Sequence, residues 1–111
     1  MSYDGSLPFF NDAVAGTVRQ IAGHQAQLFG LRLLNTTAAA AYLQVFALPA
    51  ASVTLGTTVA DYCIRLAANE GLWIPFVVPV MPSGGTGLSV AGTTTATGST
   101  GAAISVAAFY G

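Results

Sequence analysis

The sequence predicts an all-β protein, an antiparallel two-sheet β-sandwich or jelly roll with an extended N-terminal arm. Apolar side chains alternate with a period of two in six or seven short segments, which is typical of strands that bury one face. Gly, Pro, Asn and Ser mark the turns between these segments. Because 111 residues are the size of one domain, the segments are expected to pack as two layers around a single core.

Residues 1–16 are predicted to form the arm, and residues 17–111 the single β-sandwich domain. Turn-forming residues such as Asp4-Gly5 and Pro8 interrupt any periodic pattern in the arm. Its large apolar side chains would be an aggregation hazard in a free monomer and are expected to dock on a neighbouring protein. Deletion of residues 2–12 is therefore expected to weaken assembly and to leave the sandwich folded. The proposed arm contacts are Tyr3, Leu7, Phe9 and Phe10.

The first two strands of the domain are predicted at Gln25–Leu34 and Ala41–Leu48. In the first, Leu31 and Leu33 share one face, and in the second Leu43 and Val45 do. The short turn-like link between them suggests an antiparallel hairpin. A helix over 36–48 is the alternative, because Ala is the best helix former, but the alternation that follows favours a strand.

The segment 49–60, rich in Thr with Pro and Gly, is predicted to cross between the sheets. Asp61–Ala68 alternates again and is predicted as a strand, followed by a turn at Asn69-Glu70-Gly71. The strand Leu72–Val80 contains two prolines, which cannot donate to a ladder, so it should lie at an edge or be bent. The remaining predictions are a turn at 83–85, strands at Leu88–Ala91 and Ile104–Tyr110, and the low-complexity segment 93–101 between these strands.

Charge is scarce throughout the chain. Only 6% of the residues are charged, none is Lys, and both 33–60 and 71–111 contain no charged residue. Soluble domains usually carry about a quarter of their residues as charges. The most apolar run is too short for a membrane span, so burial against other protein chains is the favoured explanation and no membrane partner is expected. With three Arg and a net charge of −1, no nucleic-acid partner is expected either.

The residues offer little chemistry. His24 is the single histidine and Cys63 the single cysteine, and no carboxylate pair or Cys/His cluster has the spacing of a catalytic or metal site. Arg65 lies on the same predicted face as Cys63 and could lower its thiol pKa, although a half-buried apolar role is the favoured interpretation. We therefore predict no catalytic residues, no cofactor and no metal, and we expect a protein that is not an enzyme. The absence of a disulfide framework and of a signal-peptide pattern favours a reducing cytoplasm.

Aromatic residues are the remaining candidates for function. Trp73 could be part of a carbohydrate-stacking platform, but an anchor in the core or between subunits is the favoured interpretation. The predicted protein-interface residues outside the arm are Trp73, Phe76, Phe109 and Tyr110.

Several short motifs resemble those of small virion proteins of tailed bacteriophages and prophages. They are the strand and turn Leu28–Phe46, the Gly-Thr loop Leu55–Val59, the Ala-Ala-Asn turn at Leu66–Asn69 and the Thr-Gly-Leu strand at Gly85–Gly92. The likeness covers about residues 25–110. It implies a β-sandwich virion component, most plausibly a capsid decoration (cement) protein, often trimeric, on the outside of the head shell.

The resemblance implies that the partners are the major capsid protein and copies of this chain, and that the protein is located in the virion after assembly in the host cytoplasm. Each copy would bridge neighbouring capsid subunits and strengthen the shell. The alternatives are a receptor- or glycan-binding module of a tail fibre or baseplate, with Trp73, Tyr42 and Tyr110 as stacking residues, and a tail-tube or head-completion subunit.

Overall fold

The computed structural model describes residues 9–22, 28–80 and 87–110 and shows eight β-strands and no α-helix within them. This confirms the all-β prediction. A short 3-10 turn lies at Ala50–Ser52. The strands are β1 (Phe9–Val14), β2 (Arg19–Ala22), β3 (Leu28–Asn35), β4 (Ala41–Phe46), β5 (Tyr62–Leu66), β6 (Gly71–Val80), β7 (Leu88–Thr93) and β8 (Ile104–Tyr110).

The strands form two antiparallel four-stranded sheets. Sheet A has the order β1-β8-β3-β6, and sheet B has the order β2-β7-β4-β5. Among these strands, β4 and β5 are the one pair that is consecutive in sequence and adjacent in a sheet, so every other connection passes from one sheet to the other. This strand order is that of a jelly roll, in which two Greek keys wrap around one core.

The core lies between the two sheets and follows the period-two pattern of the sequence. Leu31 and Leu33 of β3 face Leu43 and Val45 of β4, and each is at most 2% exposed. Burial of a side chain of this size stabilises the fold by roughly 1.5–3 kcal/mol. The other large core residues are Val14, Ile21, Leu66, Leu88, Val90, Ile104 and Val106.

The predicted hairpin between β3 and β4 is wrong, because the two strands lie in different sheets. Asn35, which is fully buried at the end of β3, explains how the chain crosses between them. Its amide donates to the carbonyl oxygens of Ala39 at 2.8 Å and Ala67 at 2.9 Å, and its Oδ1 accepts from the Thr37 amide at 2.9 Å. The side chain thus ties sheet A to the following link and to the end of β5 in sheet B.

The predicted crossing between sheets at 49–60 is also wrong. This segment returns the chain to sheet B, where β5 pairs with β4. Asp61 closes the loop at its base: its backbone amide donates to the Val45 carbonyl at 2.8 Å, and its carboxylate accepts from the Ala47 amide at 2.7 Å. Alternating polarity predicts strands but does not specify which strand is the partner. The crossing between the sheets therefore lies between β3 and β4, and the antiparallel pair is β4 and β5, the reverse of the prediction.

Several local predictions are confirmed. Asn69 has a φ of 57°, and the Glu70 amide donates to the Ala67 carbonyl, as expected for a tight turn. β6, with its two prolines, forms an edge of sheet A. The strands predicted at Asp61–Ala68 and Ile104–Tyr110 are present as β5 and β8, and the alternative helix over 36–48 is replaced by β4.

The N-terminal segment differs from the prediction of an arm over residues 1–16. Its second half, Phe9–Val14, is strand β1, and β1 pairs with β8 over six residue pairs. The Asn-Asp sequence in the middle of β1 is a weak strand signal, whereas the edge of β8 supplies backbone partners. β2 was not predicted because it has only four residues. Residues 1–8, the first part of the strand predicted from Gln25, and the turn predicted at 83–85 lie outside the described residues.

Candidate functional site

The interface residues predicted from sequence are only partly brought together. Tyr3 and Leu7 lie outside the described residues, and Phe9, Phe10 and Phe76 are described through their backbone alone. Tyr110 is half-buried and packs against the core. Trp73 and Phe109, by contrast, meet on the outer face of sheet A, with ring centroids 5.9 Å apart and planes at 90°.

The register of sheet A places this aromatic pair in a defined grid. Trp73 of β6 pairs with Arg32 of β3, which pairs with Ala107 of β8. Two residues before Arg32 in β3, Gly30 pairs with Phe109. Two residues after Arg32, Leu34 pairs with Ser105. Since alternate residues point to the same face, these side chains share the outer face and lie one strand spacing apart.

Trp73 is held in place although it is 52% exposed. Its ring lies over Gly30, where a Cβ atom would come within 2.9 Å of the indole Cη2 atom. Phe109 contacts it edge to face, an arrangement that aromatic pairs prefer. A large apolar ring is thus presented to solvent in a restricted orientation, which lowers the entropy that it would lose on binding.

A shallow open depression lies beside the ring. It has a volume of about 510 Å³, and its lining includes Arg32, Leu34, Trp73 and Ser105. A second hollow of about 370 Å³ lies between Arg32, Trp73 and Phe109. The residues that line the depression include apolar ones, the cationic Arg32 and the hydroxyl-bearing Ser105, and Leu34 among them is 45% exposed. It is therefore suited to an apolar group that carries a negative charge or a hydrogen-bond acceptor.

The outer face of sheet B is not available in the same way, because the chain covers it. Phe46 and Ala91 are fully buried although they lie outside the core cluster. The Ser89 hydroxyl donates to the Leu48 carbonyl at 2.8 Å, and the Gln44 amide donates to the Gly98 carbonyl at 3.1 Å. The segments 47–61 and 94–99 thus lie against sheet B, whereas Trp73 and Leu34 on the outer face of sheet A remain about half exposed.

The candidates for chemistry remain apart. Partial burial raises the pKa of the Cys63 thiol above its ordinary value, which is opposite to the lowering suggested for Arg65. The thiol donates a hydrogen bond to the Ala96 carbonyl at 3.6 Å. The Asp61 and Glu70 carboxylates accept hydrogen bonds from backbone amides, and His24 lies outside the described residues. Within the described ranges, no three acidic, His or Cys side chains group as metal ligands would.

No match is found for this chain among protein-family models, curated proteins or solved structures. The outer face of sheet A is therefore the feature from which a function can be inferred. In the parts of the chain that the structure describes, no helix has the length and apolar character to cross a membrane.

Sequence reasoning identified the two aromatic residues of this surface but missed Gly30, Arg32 and Leu34. The alternation of β3 predicts that Arg32 and Leu34 lie on the outer face, because the buried Leu31 and Leu33 occupy the inner one. The position of Gly30 under Trp73 depends on the β3–β6 register, which has an irregularity between Leu28 and Gly30. The alternation within β3 could have indicated Arg32 and Leu34 as surface residues, but no local signal indicates that Gly30 lies under Trp73.

Proposed function

We propose that this protein is a structural subunit that acts by burying the outer face of sheet A against neighbouring proteins. The asymmetry between the two sheets is the observation that supports this. The chain covers sheet B with its own loops, but it leaves Trp73 and Leu34 about half exposed on sheet A. An ordered, uncovered apolar surface of this kind is typical of an interaction site.

The motifs that resemble phage virion proteins suggest the assembly in which this happens. We propose a capsid decoration protein that binds the outside of a head shell, contacts the major capsid protein and copies of itself, and is located in the virion. Eight-stranded jelly rolls occur in viral capsid proteins and in lectins, so the fold is compatible with this role and does not by itself select it.

The mechanism would be mechanical. Each copy would bridge adjacent capsid subunits, and a stable contact of this kind buries roughly 1,200–2,000 Å². Trp73 would serve as a central anchor, since Gly30 and Phe109 already restrict its ring. Burial of its exposed half, roughly 100 Å², would contribute about 2–3 kcal/mol before the costs of association. Binding at several symmetric sites would then add avidity.

The decisive experiment is co-sedimentation of the purified protein with preformed expanded heads. We expect many copies per head, and we expect Trp73→Ala to weaken binding by about tenfold to a hundredfold because it removes the anchor. Tyr62→Ala is the matched control, since Tyr62 is an exposed aromatic residue of sheet B. Recovery of only a few copies, confined to tail fractions, would contradict the proposal, as would equal binding of the two variants.

A glycan-binding module is the second candidate, and one observation favours it. An exposed, restrained Trp73 beside the Arg32 guanidinium and the Ser105 hydroxyl is also an arrangement on which a sugar ring can stack and form hydrogen bonds. Because Trp73 is the single tryptophan of the chain, its fluorescence reports directly on occupancy. Saturable quenching by a glycan, lost in Ser105→Ala, would favour this candidate over shell binding.

A further inference from the structure

Arg32 is the one cation in the grid of the outer face, and the structure gives it no carboxylate partner among the side chains that it describes. It is exposed, and its neighbours in the row are the uncharged Trp73 and Ala107. Glu70 and Asp61 bind backbone amides elsewhere, at 2.8 and 2.7 Å. The surface therefore has one positive charge beside an exposed ring.

Two other acidic residues exist in the chain, Asp4 and Asp12. Asp12 belongs to β1, where its Cα atom pairs with Val106, and Val106 in turn pairs with the core residue Leu33 and not with Arg32. Asp4 lies in residues 1–8, which also contain Tyr3 and Leu7 and no other charged side chain. This segment thus has the composition that complements the face: apolar groups and one negative side chain.

The length and position of the segment fit a contact between copies. β1 begins at Phe9, which pairs with Phe109 at the aromatic end of the face. Because β1 runs from Phe109 towards Ile104, its first residue lies at the end of the sheet near Tyr110. Eight residues can extend about 26 Å, more than the 20 Å short dimension of the molecule. A second copy placed against that end would lie within reach of the segment.

We propose that residues 1–8 of a second copy dock in the depression beside Trp73, with Asp4 paired to Arg32 and Tyr3 or Leu7 placed against the indole ring. The proposal rests on the proposed function as an assembly subunit and names one occupant of its interaction surface. The ion pair supplies register and orientation, while burial of the apolar groups supplies most of the affinity.

A charge exchange between two full-length variants tests this directly. In Asp4→Arg the introduced arginine would meet Arg32, and in Arg32→Glu the introduced glutamate would meet Asp4. We expect each variant alone to self-associate about tenfold more weakly than the parent chain, because like charges oppose each other at the contact. An equimolar mixture should recover association, since every contact between unlike copies then joins opposite charges. Sedimentation velocity measures the assembly, and Trp73 emission reports whether the ring is covered.

Arg65→Glu is the matched control, because Arg65 is an exposed arginine of sheet B and should leave self-association unchanged. Thermal unfolding of each variant shows whether it is folded. If Arg32→Glu does not fold, deletion of residues 2–8 replaces it, and loss of self-association with exposure of Trp73 is expected. Unchanged association of Asp4→Arg, or failure of two folded variants to recover association on mixing, would overturn the proposal. A change in Trp73 emission without any change in mass would show that the segment binds its own copy, which would also overturn it.

These outcomes are separable from those of the proposed function. If the protein binds heads through Trp73 but its self-association is insensitive to the charge exchange, the proposed function stands and this inference is wrong. If mixing the two variants restores self-association but the protein does not bind heads, the contact between copies stands and the role in the shell is wrong. Saturable binding of a glycan to the depression of the parent chain, with no effect of Asp4→Arg, would assign the surface to another ligand.

Discussion

Gly30 has a specific steric role beneath Trp73. A Cβ at this position would lie 2.9 Å from the outer edge of the Trp73 ring, whereas the Ile74 carbonyl oxygen would be 3.5 Å away, an ordinary contact distance. A methyl group would therefore displace the indole without forcing the strands apart. The absence of a side chain at residue 30 thus controls the orientation of a residue that lies 43 positions later in the sequence.

Gly30→Ala should change the interaction surface and leave the fold almost unchanged. We expect Trp73 to move off β3, so that its emission shifts to longer wavelength and its binding partners are held more weakly. The free energy of unfolding should change by less than about 1 kcal/mol, because alanine suits a strand better than glycine and offsets the local crowding.

Gly71→Ala provides the control on the same face. A Cβ at residue 71 would meet the Leu34 Cδ1 atom at 3.7 Å, an ordinary contact. Its emission spectrum should match that of the parent chain. A spectrum for Gly30→Ala that is equally unchanged would show that the glycine does not position the ring.

At this scale the sequence could predict the chemistry of the surface but not its geometry. Trp73 and Phe109 were identified because large aromatic residues dominate interfaces. Their contact, and the place of Arg32 between β6 and β8, depend on strands that are distant in sequence. No local pattern encodes such a register, so these neighbours emerge only when the sheet has formed.

The two sheets differ as elements because of what lies on their outer faces. In β4 both the inward Leu43 and the outward Gln44 are buried, whereas in β3 the inward Leu33 is buried and the outward Leu34 is exposed. Gln44 holds part of the cover in place through its amide, which donates to the Thr93 hydroxyl at 2.8 Å and to the Gly98 carbonyl at 3.1 Å. The cover of sheet B is thus fixed by specific hydrogen bonds.

Gln44→Ala should loosen this cover. Loss of both hydrogen bonds leaves the Gly98 carbonyl without its side-chain donor and should lower the free energy of unfolding by about 1–3 kcal/mol. Hydrogen exchange should become faster in 94–99 than in β3. Gln44→Met separates the two causes, because it keeps the volume and removes the hydrogen bonds. If the methionine variant protects 94–99 as well as the parent chain does, packing and not hydrogen bonding holds the segment.

Prediction succeeded for elements whose signal is local and failed where partners had to be chosen. The turn at Asn69 and the edge position of β6 follow from backbone preferences of Asn, Gly and Pro. The pairing partners of β3 and β4 do not follow from such local preferences, because a strand with one apolar face can pair in either sheet. Asn35 and Asp61 determine the outcome through hydrogen bonds to distant backbone groups.

For the whole molecule, the structure changes the expected effect of an N-terminal deletion. Removal of residues 2–8 should leave both sheets intact and lower the unfolding temperature little. Removal of residues 2–12 also takes away most of β1, which pairs with β8 over six residue pairs, and would expose the edge of β8. We expect this longer deletion to unfold at a markedly lower temperature and to aggregate.

Thermal unfolding and light scattering of the two deletion variants check this prediction. Equal stability of both variants would contradict the contribution of β1 to the sheet. The shorter deletion is the suitable variant for testing the N-terminal segment, because the longer deletion would combine loss of binding with loss of the fold.

By itself, the sequence determined that this chain is a two-layer β protein with a small apolar core and a surface poor in charge. Those properties follow from composition and from alternation along each strand, which are local. The tertiary structure alone decided that the order is a jelly roll, that β1 belongs to sheet A, and that one outer face is covered while the other presents Trp73. The physical reason is that strand pairing, register and cover depend on contacts between segments far apart in the chain, and the free energy of those contacts is realised only when the two sheets pack together.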